Sequence, residues 1–185
     1  PLDRDIATVL YGGIVGDTGG FRHANTNSEV LTIAAQLLTY GVQPDQVARE
    51  IFSTQPLDFM RLLGFALSNL QTSVEGRLVW CALSSEDFQR FDVDPNNTDH
   101  LVSYVRMLDT AEIAMVLREV SPGVIRLGLR ANKVDVGSLA RHFGGGGHKL
   151  ASGATLRGDF QEVVAEVIKT AEHYLATGES NGRDS

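Results

Sequence analysis

The chain has 185 residues, of which 43% are hydrophobic and 21% are charged, a composition typical of a globular protein of one or two domains. No run approaches the roughly 18 consecutive apolar residues of a membrane span, and the single cysteine, Cys81, excludes a disulfide framework. We therefore expect no membrane association and a reducing, cytoplasmic location. Because the chain begins at Pro1 without a methionine or a signal segment, we also expect it to be part of a longer protein.

The net charge of −7 conceals a local reversal of sign. Residues 118–157 contain seven lysines and arginines against two acidic residues, whereas residues 84–112 contain seven acidic residues against Arg90 and Arg106. A focused basic site on an acidic body suits a small anionic ligand and argues against a protein that binds long duplex DNA.

The first third of the chain is predicted to be helical. Residues 2–15 form a predicted helix that ends near Gly16, and residues 17–25 form a loop. A capping box, Thr26-Asn27-Ser28-Glu29, predicts a second helix that Gly41 ends. Two more helices are predicted to begin at Pro44 and after Pro56. The first helix carries four apolar residues on one face: Leu2, Ile6, Val9 and Leu10.

The pattern changes at residues 72–76, after which strands appear. A strand from Leu78 precedes helices near 85–90 and 99–108, and strands 112–120 and 124–130 flank the turn Ser121-Pro122-Gly123. Asp135 is predicted to cap a short helix that ends at His142, and a glycine-rich loop, a strand and a helix from residue 159 follow. The polar tail, residues 178–185, is expected to be disordered. The prediction is an α/β chain: a helical segment (1–71) joined to a small α/β domain with a mixed sheet (77–177).

The strongest motif is Gly144-Gly145-Gly146-Gly147-His148-Lys149, followed by Ala151-Ser152-Gly153. Four successive glycines cost conformational entropy, but they let the backbone approach a ligand and turn its N–H groups toward an anion. His148 and Lys149 add donors. A flexible linker is the alternative, and the P-loop spacing is not matched. Arg130 ends a predicted strand on its non-core face and offers a guanidinium that grips phosphate in a bidentate manner.

A second motif, Gly16-Asp17-Thr18-Gly19-Gly20, places a carboxylate in a tight loop after a helix. Divalent cations such as Mg²⁺ and Mn²⁺ take oxygen ligands of this kind. A plain helix stop explains the same string equally well.

Together the two motifs resemble the DHH phosphoesterase superfamily, in particular its short two-domain nanoRNase/pAp-phosphatase members. Residues 7–21 resemble the last motif of the N-terminal catalytic domain, and residues 129–136 with 144–153 resemble the DHH-associated C-terminal domain. The resemblance implies that residues 1–71 are the C-terminal part of a DHH catalytic domain and that residues 77–177 are the DHH-associated substrate-binding domain.

The resemblance also implies the chemistry. Members of the family hold two Mn²⁺ ions among Asp and His side chains, and Asp17 corresponds to one ligand and catalytic residue. The ions activate a water and stabilise charge at phosphorus. Short oligonucleotides, pAp or cyclic dinucleotides are the implied substrates, and the implied family also allows a homodimer of the complete protein. The residues implied to bind substrate are Arg130, Gly145, Gly146, Gly147, His148, Lys149 and Ser152, with His23 and Thr26 lining the cleft.

This sequence departs from the family pattern in several places. The earlier motifs of the family, including the Asp-His-His string, are absent, and Ala131 replaces a common serine. We therefore expect the 185-residue chain to bind ligand weakly and not to hydrolyse it alone. Two alternatives stay open: a nucleotide- or RNA-end-binding module without catalysis, and a RecJ-type single-strand exonuclease. The second is less favoured because no segment remains for an oligonucleotide-binding barrel.

Overall fold

The computed structural model describes residues 1–177, so the predicted disordered tail, 178–185, lies outside the described residues. The chain divides into two compact units, Pro1–Pro56 and a second unit from Leu57 onward. Within the described residues, no helix combines the length and the hydrophobicity needed to cross a lipid bilayer.

The first unit is helical and has a small core. Its helices are α1 (Arg4–Asp17), α2 (Ser28–Leu38) and α3 (Pro44–Ala48), and a π-helical turn, Arg49–Ser53, follows α3. The face of α1 predicted from Leu2, Ile6, Val9 and Leu10 is exposed, with Val9 75% accessible. Ala7, Tyr11 and Val15, spaced at four residues, pack into the core instead, because this spacing also places residues on one helical face.

The start of α2 differs from the prediction by one residue. Asn27, rather than Thr26, is the N-cap, and its side-chain oxygen accepts a hydrogen bond of 2.9 Å from the Val30 amide. Asparagine is as favourable an N-cap as serine, so it competes successfully with the threonine of the predicted capping box.

The second unit is built on a mixed sheet, which confirms the predicted α/β fold. The described strands form one six-stranded sheet in the order β1-β2-β3-β4-β6-β5, in which β2 and β3 are parallel and the other pairs are antiparallel. The strands are β1 (Gln71–Ser73), β2 (Leu78–Leu83), β3 (Ile113–Ser121), β4 (Val124–Ala131), β5 (Gly146–His148) and β6 (Ala151–Arg157). The helices are α4 (Leu57–Ser68), α5 (Ser85–Phe91), α6 (Leu101–Val105), α7 (Val136–His142) and α8 (Phe160–Thr177).

Two separate cores lie on the two faces of this sheet. On one face α7 and α8 cover residues such as Met115, Leu127 and Leu129. On the other face α4, α5 and α6 pack on β2 and β3, where Cys81 is 2% exposed. Burial raises the pKa of the Cys81 thiol to about 12, so the thiol is protonated at neutral pH.

The alternation of β4 decides which side chains meet each core. Ile125, Leu127 and Leu129 are buried toward α7 and α8, and Arg126, Gly128 and Arg130 point to the opposite face, where Arg130 was predicted to lie. That opposite face is partly accessible over β4 and β6 and therefore offers a surface for a ligand.

Candidate functional site

A row of glycines crosses the accessible face of the sheet. The strand register pairs Gly128 of β4 with Gly153 of β6, and Gly153 with Gly146 of β5. Residues directly opposite each other in antiparallel strands share a face, so the three positions expose bare backbone side by side. A methyl group added at Gly128 would lie 3.7 Å from a Val102 side-chain carbon, so α6 borders the row on one side.

An open cavity of about 600 Å³ lies over this row. A cavity of this size falls in the range of small-molecule sites. Three arginines and one acidic residue line it, together with backbone of β4, β6 and the glycine loop. The lining residues are Asp99, Arg118, Arg126, Leu127, Gly128, Arg130, Gly144, Gly145, Ser152, Gly153, Ala154 and Thr155.

Arg130 lies at one end of the cavity. One of its guanidinium nitrogens donates a hydrogen bond of 2.8 Å to the Leu129 carbonyl oxygen. Burial lowers the pKa of Arg130, the positive charge of Arg106 lowers it further, and Asp99 opposes both effects. A partly buried cation next to another cation favours the approach of an anion.

Arg118 has a different role, because it is buried and fully engaged. Its guanidinium donates to the Pro95 carbonyl and the Thr98 hydroxyl, at 3.1 Å each, and forms an ion pair with Asp99. Only 4% of Arg118 is exposed. Arg118 therefore fixes the segment before α6 and neutralises the one acidic side chain that lines the cavity, leaving the charges of Arg126 and Arg130 in excess.

The glycine loop is not the free nest of amides that the sequence suggested. The amide of Gly144 donates to the Arg141 carbonyl at 3.0 Å, and that of Gly145 donates to the Ala140 carbonyl at 2.9 Å. The carbonyl groups of the last turn of α7 have no partners within the helix, and these two amides pair with two of them. The expectation that successive N–H groups all face an anion is wrong for these two residues.

Close packing explains two of the glycines. A methyl group at Gly145 would overlap the Gly153 carbonyl oxygen, and one at Gly147 would lie 2.7 Å from the Ala151 carbonyl oxygen. By contrast, a methyl group at Gly146 would meet no atom within 4 Å. The fold therefore has no room for a side chain at Gly145 or Gly147, whereas it has room for one at Gly146.

The predicted residues after the loop lie at the β5–β6 hairpin. His148 pairs with Ala151, which pairs with Arg130, so His148 and Arg130 belong to the same cross-strand row. The Ser152 hydroxyl does not point at open space but donates to the His148 carbonyl at 2.6 Å. Lys149 is exposed, and its carbonyl accepts from the Val136 amide at 2.8 Å.

Asp17 lies in the first unit, at the end of α1. Its exposed carboxylate accepts a hydrogen bond of 2.8 Å from the Asn25 side chain. The loop turns back on itself because Gly19, Gly20 and Phe21 all have positive φ angles of 57–70°. His23 Nδ1 lies 3.2 Å from the Asp17 carbonyl, and the Thr26 hydroxyl is buried without a hydrogen-bond partner among the described residues.

The ligand set for two metal ions is not assembled by the residues described. No group of three or more His, Cys, Asp or Glu side chains in residues 1–177 is arranged to hold a metal ion. Asp17 supplies one carboxylate, which is fewer than either ion of a two-metal centre needs.

The structure brings Arg130, Gly145 and Ser152 to one cavity, and it places Gly146 and His148 in register with that cavity's floor. Sequence reasoning did not assign Arg126, Thr155 or Asp99. The alternation of β4, which put Arg126 on the same face as Arg130, was the available signal for Arg126. Asp99 carried no signal, because only the tertiary contact with Arg118 brings it there.

Comparison with known proteins gives the family. The family model of the DHHA1 domain matches residues 76–177. The bifunctional oligoribonuclease and PAP phosphatase NrnA of Thermus thermophilus is 34% identical over 173 residues, which cover 92% of this chain and 51% of that protein. The probable bifunctional oligoribonuclease and PAP phosphatase NrnA of Streptococcus mutans is 32% identical over 155 residues, covering 83% and 49%.

A solved structure agrees with these relatives. An exopolyphosphatase-related protein from Bacteroides fragilis superposes with a TM-score of 0.85 at 28% identity, covering 93% of this chain and 51% of that one. The chain therefore spans about half the length of the curated relatives it matches. Because the DHHA1 model matches more than half of the chain, this protein belongs to the DHHA1-domain family of the DHH superfamily.

Proposed function

We propose that this chain is the nucleotide-binding part of a phosphoesterase that acts on short oligonucleotides, pAp or cyclic dinucleotides in the cytoplasm. The observation that carries the proposal is the cavity over the glycine row, where Arg126 and Arg130 flank bare backbone and Asp99 is neutralised by Arg118. Arginine suits phosphate because its planar guanidinium presents paired donors. Glycines beside it let the phosphate approach the sheet closely.

The dimensions of the site support a small ligand. A cavity of about 600 Å³ accommodates a nucleotide or dinucleotide, and the net charge of −7 opposes the broad phosphate contacts of a duplex-binding protein. The names of the T. thermophilus and S. mutans relatives, oligoribonuclease and PAP phosphatase, support the same substrate class.

We propose that Asp17 is one ligand of a two-manganese centre whose other ligands come from outside residues 1–177. The exposed carboxylate, held by Asn25, supports this role, and the described residues contain no complete metal group. The chain alone is therefore expected to bind nucleotide without hydrolysing it. Turnover of pAp by the purified 185-residue chain in Mn²⁺ would contradict this expectation.

The binding role is tested by calorimetric titration of the chain with adenosine 5′-monophosphate. Arg130→Gln is expected to weaken binding about tenfold, because a charge-assisted contact to phosphate is lost. Arg157→Gln, which removes an exposed charge outside the cavity, is the matched control and is expected to bind as the wild type does. Equal affinities of the Arg130 variant and the wild type would refute the proposed site.

A binding module without catalysis is the second candidate, because the arginine cavity can hold phosphate without any metal. The two candidates differ at Asp17. In the complete protein, Asp17→Asn is expected to abolish manganese-dependent hydrolysis and to leave nucleotide affinity unchanged. A complete protein that binds pAp but never hydrolyses it would favour the binding module.

A further inference from the structure

A second cavity, of about 400 Å³, opens in the first unit and is called the α1 cavity below. Apolar and aromatic side chains and one arginine line it, contributed by α1, the loop after α1, α3 and the π-helical turn. It shares no lining residue with the cavity over the glycine row. The lining residues are Tyr11, Val15, Gly20, Phe21, Arg22, Pro44, Ala48 and Phe52.

The hydroxyl of Tyr11 lacks a hydrogen-bond partner in the part of the chain that the structure describes. Only 6% of Tyr11 is exposed, and a buried tyrosine hydroxyl usually has a partner. The side-chain oxygens that are sealed from solvent without a partner belong to Thr26 and Ser73, so the Tyr11 hydroxyl keeps access to the α1 cavity. Burial raises the pKa of Tyr11, so this hydroxyl is protonated at neutral pH and can donate to a ligand.

Two aromatic residues of the α1 cavity lie in unusual backbone. Phe21 has a φ angle of 63°, which bulky side chains rarely adopt, and its amide donates to the Thr18 hydroxyl at 3.0 Å. Phe52 belongs to the π-helical turn and is 38% exposed. A β-carbon at Gly20 would lie 3.3 Å from the Phe52 ring. Backbone irregularities of both kinds cost free energy and occur frequently at ligand sites.

Arg22 gives the α1 cavity a positive charge at a fixed position. Its Nε donates to the Gly19 carbonyl at 2.6 Å, and its guanidinium carbon lies 5.8 Å from the centre of the Phe52 ring. Its two terminal nitrogens form no hydrogen bond or ion pair with other residues of the range 1–177. None of the lining residues is acidic. The guanidinium is therefore oriented and has paired donors available for an anion.

We propose that the α1 cavity binds a small aromatic acid, a ligand whose planar ring carries a carboxylate. The ring packs on Phe21 and Phe52, the carboxylate pairs with Arg22, and the Tyr11 hydroxyl bonds to a polar atom of the ligand. Because the guanidinium lies over the Phe52 ring, a ligand ring on Phe52 brings its anion to Arg22 when the two are directly attached. A nucleotide has ribose between its base and its phosphate and fits this arrangement poorly. This site goes beyond the proposed function and does not depend on it.

The test is a titration of the ¹⁵N-labelled 185-residue chain with 4-hydroxybenzoate, followed by two-dimensional NMR. The amide signals of Gly20, Phe21 and Arg22 are expected to shift and to saturate. Cyclohexanecarboxylate has the same charge without an aromatic ring and is expected to bind about tenfold more weakly. Adenosine 5′-monophosphate is expected to leave these three amides unshifted, since we place its site in the second unit.

Three variants identify the groups that bind the acid. Arg22→Gln is expected to weaken binding of 4-hydroxybenzoate about tenfold, and Tyr11→Phe, which removes only the hydroxyl, about fivefold. Arg49→Gln is the matched control, because Arg49 is an exposed arginine of the same unit, paired with Asp45 at 3.8 Å and outside the cavity lining. It is expected to bind as the wild type does. Melting temperatures establish that each variant is folded.

Four outcomes would overturn the inference. The first is the absence of a saturable shift at the three amides, and the second is equal affinity for 4-hydroxybenzoate and cyclohexanecarboxylate. The third is wild-type affinity in folded Arg22→Gln and Tyr11→Phe, and the fourth is saturation of the three amides by adenosine 5′-monophosphate in place of the aromatic acid. Because the two cavities share no residue, failure of the α1 cavity to bind the acid leaves the proposed function unaffected.

Discussion

Gly145 and Gly146 are adjacent, yet different constraints act on them. At Gly145 the backbone passes so close to Gly153 that a β-carbon has no room, whereas a β-carbon at Gly146 meets no neighbouring atom. Packing therefore explains the first glycine and does not explain the second. Gly146 belongs to the row over which we place the ligand, and its missing side chain leaves the floor of the site open.

Alanine substitutions distinguish the two glycines. Gly145→Ala is expected to lower the free energy of unfolding by about 1–3 kcal/mol, as overpacking does. Gly146→Ala is expected to change it by less than about 0.5 kcal/mol but to weaken nucleotide binding, because the methyl group occupies the floor of the site. Urea unfolding and calorimetry measure the two effects. Normal nucleotide affinity in Gly146→Ala would place the ligand away from the row.

The residues of the site were only partly predictable from the sequence. Arg130 and the glycine run were identified from local composition and the family resemblance, and Arg130 lines the same cavity as Gly144 and Gly145 of that run. The role of the Gly144 and Gly145 amides could not be predicted in the same way. These amides pair with carbonyl groups at the last turn of α7, and that requirement is visible only once the end of the helix is known. The pairing of Arg118 with Asp99 joins residues 19 positions apart, which no local pattern reveals.

At the scale of elements, α7 connects the sheet to the glycine loop, and Asp135 begins it. The Asp135 carboxylate accepts from the Gly137 amide at 2.9 Å, the Ser138 amide at 3.2 Å and the Ser138 hydroxyl at 3.0 Å. Burial by itself raises the pKa of Asp135, but these hydrogen bonds and the charge of Arg141 outweigh it, so the pKa of Asp135 is lower than usual. The ionised carboxylate is thus the form that the folded protein prefers.

The stability conferred by Asp135 should therefore depend on pH. A lowered pKa in the folded state stabilises the protein above the unfolded value of about 4, and this contribution disappears as the pH falls through the folded pKa. Asp135→Ala is expected to cost about 1 kcal/mol at pH 7, and less at pH 3.

The matched control is Asp135→Asn, which keeps the oxygen that accepts from the Gly137 and Ser138 amides and replaces the second, charged oxygen with an NH2 group. The free energy of unfolding of Asp135→Asn is expected to be lower than that of the wild type at pH 7, and the difference should vanish near pH 3. Urea midpoints at a series of pH values measure both variants. A deficit for Asp135→Asn that is constant between pH 7 and pH 3 would show that ionisation of Asp135 does not contribute.

Two short strands show where element prediction reaches its limit. β1 (Gln71–Ser73) and β5 (Gly146–His148) have three residues each and lack the alternation of apolar residues that marks β4. They are strands because they pair with β2 and β6, so tertiary contact outweighs their weak intrinsic preference. The long amphipathic α8 and the strand pair β3–β4, by contrast, follow from periodicity and a turn signal alone.

For the whole molecule, the division at Pro56 has an energetic basis. Both cores of the second unit consist of residues from Phe59 to Leu175, and the core of the first consists of residues from Ala7 to Val47. Each unit thus buries apolar side chains of its own. A unit with its own core is able to fold independently.

Residues 57–185 are therefore expected to fold when expressed alone and to bind adenosine 5′-monophosphate as the 185-residue chain does, because every residue that lines the cavity lies in this unit. Circular dichroism with thermal unfolding and calorimetry check the two properties. A shortened chain that unfolds without cooperativity, or that folds and no longer binds, would show that residues 1–56 are needed for the site.

The short outer strands also affect how copies of this protein meet one another. A long, flat, apolar border of a sheet offers unpaired amides to a neighbouring chain and can seed fibrils. Here one border is the polar Gln71–Ser73 and the other is Gly146–His148, whose glycines lack side chains for interdigitation. The glycines that keep the floor of the cavity bare thus also make this border a poor template for amyloid growth.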